Sequence, residues 1–458
     1  ANRGPLPIAH GDPLPAGSGR AVVVVIAHNK PDCLSRCLHS LAAQRQQDKD
    51  AWRFAVSLDD PPTFEPMEQT AKTFEVSLPG LEIWRKTGPA RLAATVSKIS
   101  EHFRFALTES FDRRDYEFAL FLENDLTASP DFLWYFRSTA WLLREDPSLF
   151  CVSAWNDNGM KDLVSDERRL FRSDYFPGLG WMIEKPTWEH LRGIWPGFPT
   201  TGWDHWLRHG ADLRNRDCIV PEVSRTHHFD EDGTNVKAGT PLAKALANMA
   251  ESKLPPGELG DLSYLLWDKY AEQLKQMAQG ATDLSLGTLG QSSASKTYLV
   301  PYVREDYSAL AKALHLSPAQ PRTAQKGLII TRHPTTHAKL LLADLRHSAS
   351  VLPEDRLLRP NAAREIGPAR RGESCDDFCR QSSMRCEAQE LEFINTCGML
   401  RRHFPCEAGC GHQVGLEIPC YVHDTKRDTA RQCLVTDDAV PTCAAKHVAT
   451  TRLCVCVP

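Results

Sequence analysis

The sequence predicts an α/β protein with a mostly parallel sheet, followed by a small disulfide-rich C-terminal domain. Three observations carry that prediction. Apolar runs of strand length alternate with segments of helical rhythm, the pattern that places helices on a parallel sheet. One such run, Glu117 to Leu126 (EFALFLENDL), ends abruptly in Glu123-Asn124-Asp125. Finally, 11 of the 15 cysteines lie between Cys375 and Cys456. A chain of 458 residues is long enough for two or three domains, each with its own core.

The elements follow in order. Residues 1–20 lack an initiator Met and a signal peptide, so they read as the stem of a trimmed chain whose membrane anchor, if any, lay upstream. Ala21 to Ala27 (AVVVVIA) is a buried first strand, and Pro31 to Leu41 places Leu34, Leu38 and Leu41 on one helical face. Arg53 to Leu58 is a second strand, ending in Asp59-Asp60, and Leu81 to Arg85 a third. Ser97 to Leu107 and Pro130 to Leu143 are helices on either side of the EFALFL strand. Cys151 to Ile183, rich in Gly, Asn, Asp and aromatics, suggests irregular loops around a ligand. Gly280 to Ser295 is a small-residue loop, and strands and a helix return up to Leu345, with a subdomain over 296–345. The catalytic region therefore spans 21–345, residues 346–372 form a linker, and 373–458 form the cysteine-rich module.

Composition excludes some partners. The formal net charge is -4 with no basic block, which argues against nucleic acid. No apolar run approaches the ~20 residues that span a bilayer. The dense cysteines point to disulfides formed outside the cytosol. Zinc is the alternative, through Cys375-x3-Cys379, Cys406-x3-Cys410 and Cys454-x-Cys456 beside His403 and His412, but irregular spacing without repeated Cys-x2-Cys pairs disfavours it. The odd total leaves at least one thiol outside intrachain pairs, and Cys33 and Cys37 are the candidates.

Carboxylates at the end of a buried strand persist only if paired, solvated or bound to metal. In open α/β sheets that end is also where ligands bind, and a hard cation there can hold a diphosphate. Asp125 is the candidate metal ligand, with Glu123 and Asn124 bonding the donor's sugar moiety. The alternative is an acidic turn leaving the core. Asp59 suits a nucleobase or ribose contact, or else an ordinary turn. Asp204, in Gly202-Trp203-Asp204-His205-Trp206, suits a general base shielded by indoles, or a helix-start aspartate packed between tryptophans.

Five blocks in order give a more specific signal: Phe121 to Asp131, Cys151 to Gly159 (CVSAWNDNG), Phe176 to Trp181 (FPGLGW), Trp203 to Arg208 and Pro221 to Thr226 (PEVSRT). Over roughly Arg20 to Leu345 the chain resembles the inverting β-1,2-N-acetylglucosaminyltransferases. The resemblance implies a GT-A fold, Mn2+, a UDP-N-acetylglucosamine donor, a mannose hydroxyl of a glycan or glycoprotein as acceptor, and residence in the Golgi lumen behind an N-terminal anchor. It implies that Asp125 binds metal, Asp204 is the catalytic base, and Asp59 contacts uracil. Lys30 and Asn235 fall beside the donor, while Trp155, Asn156, Asp157, Trp181 and Trp203 fall in the acceptor pocket. Cys151 and Cys218 match a disulfide of the family.

Departures cluster near the donor. Asn124 replaces a carboxylate, Lys30 replaces an arginine, and His28 with Asp60 replaces a cysteine pair. The loop His228 to Gly239 is acidic, and acidic residues near a diphosphate repel it unless they point outward. These departures keep two rivals open: another UDP-sugar or acceptor on the same fold, and an inactive glycan-binding protein. Ser374 to Glu387 (SCDDFCRQSSMRCE) and the terminal LCVC resemble the cysteine-rich module of N-acetylglucosaminyltransferase V.

Overall fold

The first strand, β1 (Ala21–Ala27), is buried along its whole length because it lies mid-sheet with helices on both faces. Its Val23 and Val25 face a core shared with Leu34, Leu38 and Leu41, while Val22, Val24 and Ile26 face Phe103, Ala106 and Leu107. The computed structural model describes residues 14–458 apart from 16, 60, 88–94, 196–201, 211, 212, 214, 215, 231–235, 258, 319, 437 and 438.

β2 (Trp52–Leu58), β3 (Glu82–Arg85), β4 (Phe118–Glu123), β6 (Leu149–Ser153), β7 (Leu170–Ser173), β8 (Trp181–Glu184) and β9 (Asp217–Pro221) complete an eight-stranded sheet in the order β3-β2-β1-β4-β8-β6-β9-β7. β1 pairs in parallel with β2 and β4, and β6 with β9; β8 and β7 run antiparallel to their neighbours. A short pair, β5 (Leu126–Ala128) with β10 (Thr226–His228), lies beyond the end of β4. Helices Pro31–Ala42, Thr95–Thr108 and Phe132–Glu145 cover the sheet, the first with proline at its start, where no amide partner is lost.

The stretch from Cys151 to Ile183 differs from the expected loops, because it contains the end of β6, all of β7 and most of β8. These four- and five-residue strands are buried on both faces, so they lack the alternation that marks a half-exposed strand. The turn before β8 needs glycine at 180: φ is +94°, and a Cβ would meet Thr226 Cγ2 at 3.0 Å and Ala154 Cβ at 3.2 Å. Cys151 and Cys218 are opposite one another on β6 and β9 and are disulfide-bonded.

A second sheet, β11 (Thr282–Asp283), β12 (Thr297–Tyr302), β13 (Leu328–Arg332) and β14 (Lys339–Asp344), packs over helix Tyr307–Ala313, and so begins before residue 296. The third comprises β15 (Glu365–Pro368), β16 (Arg385–Cys386), β17 (Cys410–His412), β18 (Cys420–Val422), β19 (Cys433–Val435) and β20 (Thr450–Val457). β15 falls inside the expected 346–372 linker and pairs with β20; as a largely solvated edge strand it carries few large apolar residues, which is why it reads as linker. Disulfides 375–454, 379–456, 386–443, 397–410 and 406–433 take up ten of the module's cysteines, so the zinc alternative fails for want of thiolates. Cys33, Cys37 and Cys420 are free thiols.

One buried cation ties the far side of the main sheet together. Arg172 on β7 reaches Asp146 at 2.7 Å and Asp217 at 2.9 Å and donates to the Leu265 carbonyl at 3.0 Å, with its side chain fully buried. Replacing Arg172 with Leu strands two carboxylates in the interior. The expected loss is about 3–5 kcal/mol, read as a lower urea midpoint at unchanged slope.

Candidate active site

Parallel pairing brings the chemistry to one edge. β1 sits between β2 and β4 in a register that opposes Ile26 to Glu123 and Ala27 to Leu58. Lys30, Asp59, Glu123, Asn124 and Asp125 therefore follow the carboxyl ends of three adjacent strands. The Asn124 amide donates to the Ile26 carbonyl at 3.0 Å and its side-chain Nδ2 points to the Lys30 carbonyl at 3.5 Å, so the acidic turn is held against the end of β1.

Within this edge the carboxylates are unequal. Burial first, then the charges of Asp125 and Asp204, hold the Glu123 carboxyl well above the usual carboxylate range. Asp125 Oδ1 is buried and has no hydrogen-bond partner among the described residues, while Oδ2 lies 3.3 Å from His228 Nε2. A buried carboxylate oxygen without a partner is costly, and a cation removes the cost. One carboxylate and one imidazole suit Mn2+, and so few protein donors leave coordination positions for phosphate oxygens and water. The residues present thus fit the metal.

Asp204 comes from a separate segment of the chain. Its helical turn, Trp203–His205, is only three residues long and is anchored by aromatic packing. Trp203 stacks on Phe103 at 3.9 Å and on Trp181 at 5.3 Å between ring centroids, and Trp181 packs on Phe121 of β4 at 5.0 Å. Arg208 Nη1 donates to Asp204 Oδ2 at 2.8 Å while its Nε holds the Phe176 carbonyl at 2.8 Å. A Cβ at position 202 would lie 2.5 Å from Asp204 Oδ1, so any larger residue than Gly202 displaces that carboxylate oxygen. The Asp204 charge also acts on Glu123, which puts the two carboxylates near one another.

The expected acceptor residues separate. Trp155, Asn156, Trp181 and Trp203 are buried. Asn156 is saturated internally: its Nδ2 donates to the Glu222 carbonyl, and its Oδ1 accepts from the Asn158 amide and the Thr323 hydroxyl. Asp157 pairs with Arg322 at 2.8 Å. These residues brace the crevice from behind, and polar aromatic-rich sequence alone does not distinguish bracing from lining. Asn235 and Asp60 lie outside the described residues.

Three partners were not legible in the sequence. His228 reaches Asp125 because β10 pairs antiparallel with β5, opposing His228 to Leu126. Asp230 points inward and forms an ion pair with Lys30 across the crevice. His28, in place of a cysteine, bonds Asp59 Oδ1 through Nδ1 at 2.8 Å, and His102 Nδ1 lies 3.6 Å from Asp59 Oδ2. Burial opposes ionisation of Asp59, but the His28 bond and the charges of His102, His28 and Lys86 outweigh it and lower the pKa.

An open α/β sheet whose carboxyl edge gathers acidic groups opposite a shielded aspartate defines a glycosyltransferase of GT-A fold. The chain belongs to the GNT-I family, whose model matches residues 14–349 and so stops short of the cysteine-rich module. It is 29% identical over 336 residues to an alpha-1,3-mannosyl-glycoprotein 2-beta-N-acetylglucosaminyltransferase of Arabidopsis thaliana, covering 70% of this chain and 73% of that protein. Among solved structures, the mannosyltransferase PcManGT from Pyrobaculum calidifontis in complex with GDP-Man and Mn2+ aligns at 18% identity with a TM-score of 0.30, over 47% of this chain and 58% of that one. TarS 1-349 of S. aureus in complex with UDP aligns at 17% identity with a TM-score of 0.31, over 44% and 58%.

His102 gives the site a pH signature. Burial, against the pull of Asp59, pushes its pKa from 6.5 down to about 4, with Ser57 Oγ 2.9 Å from Nε2. The unfolded chain takes up that proton at a higher pH than the folded one, so stability is fully present above 6.5 and is lost as pH falls toward 4. The slope is at most about 1.4 kcal/mol per pH unit. Unfolding titrations of the parent and His102→Gln should show a shallower slope in the variant over that window; equal slopes would contradict the assignment.

Proposed function

We propose that the protein transfers N-acetylglucosamine from UDP-N-acetylglucosamine to a mannose hydroxyl of a glycoprotein glycan, forming a β-1,2 linkage by single displacement with inversion. The observation that supports the proposal is a second carboxylate, Asp204, near enough to the Glu123-Asn124-Asp125 turn for its charge to act on Glu123. Inversion needs nucleophile and leaving group on opposite faces of the sugar, and so needs separate groups to serve them.

In this mechanism Asp204 accepts the proton of the attacking hydroxyl, held in position by Arg208. Asp125 and His228 would hold Mn2+, which when bound offsets charge on the departing diphosphate. Glu123, at the carboxyl end of β4 beside Asp125, would hydrogen-bond the donor sugar. Lys30 offers a further positive charge once diphosphate displaces Asp230. Asp59 is placed to meet the nucleobase beside β2. The cysteine-rich module and the relative's glycoprotein substrate together support work in the lumen of the secretory pathway, with the Golgi as the compartment proposed. Among the described residues no helix is long and apolar enough to cross a membrane.

UDP release with mannose-terminated acceptors, with and without Mn2+, tests the proposal. Asp204→Asn should lower turnover by about 100-fold or more while leaving metal-dependent UDP binding intact; an unchanged rate removes Asp204 as the base. Asp125→Asn should lose the metal dependence of UDP binding, measured by calorimetry, and equal Mn2+ enhancement in variant and parent would place the ion elsewhere.

The ion pair of Lys30 with Asp230 yields a separate expectation. Diphosphate competes with Asp230 for Lys30, and a part-exposed pair of this kind is worth up to about 1 kcal/mol. Asp230→Asn should therefore lower the donor KM by up to about fivefold, and Lys30→Met should raise it. A raised KM in Asp230→Asn would mean that Asp230 supports the donor instead.

A further inference from the structure

The cysteine-rich module meets the catalytic domain at the turn that carries Asp204. β17 packs along Trp206–Gly210, the segment that continues directly from Trp203–His205. At the end of β17 the buried ring of His412 lies next to the ring of the exposed His205, with centroids 6.4 Å apart and planes inclined by 28°. His205 is the residue immediately after the candidate base.

The surface that the module presents there is stiff. β17 is the terminal strand of its sheet and contributes three residues, too few for pairing alone to hold it firmly. Its first residue, Cys410, is opposite Cys433 on β19, and each is crosslinked in turn, Cys410 to Cys397 and Cys433 to Cys406. The first fastens β17 to helix Cys397–His403, and the second fastens its neighbour β19 to the turn that contains Cys406. The turn on the other side of the contact needs such support. Trp203–His205 and the π-helical Trp206–Gly210 together make only a short helical stretch, which cannot sustain its geometry without tertiary contacts. Trp203 fixes one flank of it against the sheet through Phe103 and Trp181, and His205 projects away from that stack toward the module.

We propose that the cysteine-rich module acts as a strut for the catalytic base, with His412 as the positioning residue: seated on His205, it fixes the turn from the side that the aromatic stack does not reach and keeps Asp204 aimed at the acceptor hydroxyl. The proposal rests on Asp204 being the base. It assigns the module to the catalytic unit, although the module lies beyond the stretch matched by the family. Small displacements of a reacting group cost rate steeply, up to about 100-fold for a shift of the order of 1 Å. A strut would thus act on turnover and leave donor binding, which is organised at the ends of β1, β2 and β4, untouched.

The test is a double-mutant cycle in the full chain with His205→Ala and His412→Ala, measured with UDP-N-acetylglucosamine, Mn2+ and a mannoside acceptor. Each single variant should lower kcat by between about twofold and 100-fold, with donor KM and UDP affinity unchanged. The double variant should be no slower than the slower single one, and His412→Phe, which keeps a ring at the contact, should recover most of the rate. Additive losses, an unchanged kcat in His412→Ala, or loss of UDP affinity in parallel with kcat would each overturn the proposal. Asp204→Asn separates this outcome from the underlying assignment. If Asp204→Asn retains full transfer, the base assignment falls and the strut with it; if it abolishes transfer while the cycle is additive, the strut alone falls.

Discussion

Parallel pairing of β1 with both β2 and β4 is the constraint on which the rest of the structure depends. Because all three strands run the same way, their carboxyl ends emerge on one edge, and residues distant in sequence meet there: Lys30, Asp59 and the Glu123-Asn124-Asp125 turn. The pairing is secured by a strand of valines buried on both faces, so the hydrophobic effect fixes the register and the register places the charges. A one-residue slip of β1 would exchange the faces of its side chains and move Lys30 relative to the acidic turn.

That edge gathers more negative charge than the surrounding protein neutralises. Glu123 responds by holding its proton, Asp125 keeps a buried oxygen without a protein partner, and Asp230 occupies Lys30. A nucleotide diphosphate alone would be repelled by such a crevice, whereas a diphosphate carried with a divalent cation resolves the imbalance. The acidic loop that made the sequence look unfavourable for a diphosphate is thereby given a different part. Asp230 faces inward, but onto a lysine, where ligand can displace it.

The sheet was legible in the sequence wherever burial follows a simple pattern. AVVVVIA, the strand ending at Leu58 and EFALFLE announce themselves as continuous apolar runs, and the structure places each within a residue or so of its expected limits. β7 and β8 were hidden because four-residue strands buried on both faces, rich in aromatics and flanked by glycine, carry no period. β15 was hidden because an edge strand needs few apolar residues. At the site, single carboxylates at strand ends could be nominated from position alone. Their partners could not, since His228, Asp230 and His28 reach the crevice through strand pairing and loop return rather than through local sequence. In the WNDN and FPGLGW motifs Trp155, Asn156 and Trp181 are buried, and their sequence alone does not tell a packed wall from a ligand-facing one.

The central claim is that one aspartate serves the acceptor while a separate acidic turn serves the leaving group, and the stereochemistry of the product tests it most directly. The donor carries its sugar in the α configuration. Incubation of the protein with UDP-N-acetylglucosamine, Mn2+ and a mannoside, followed by proton NMR of the purified product, reads the new anomeric linkage from its coupling constant. The account predicts a β-linked product from the first turnover onward. An α-linked product would contradict it, because retention would require a second displacement or front-face attack that the placement of Asp204 does not provide.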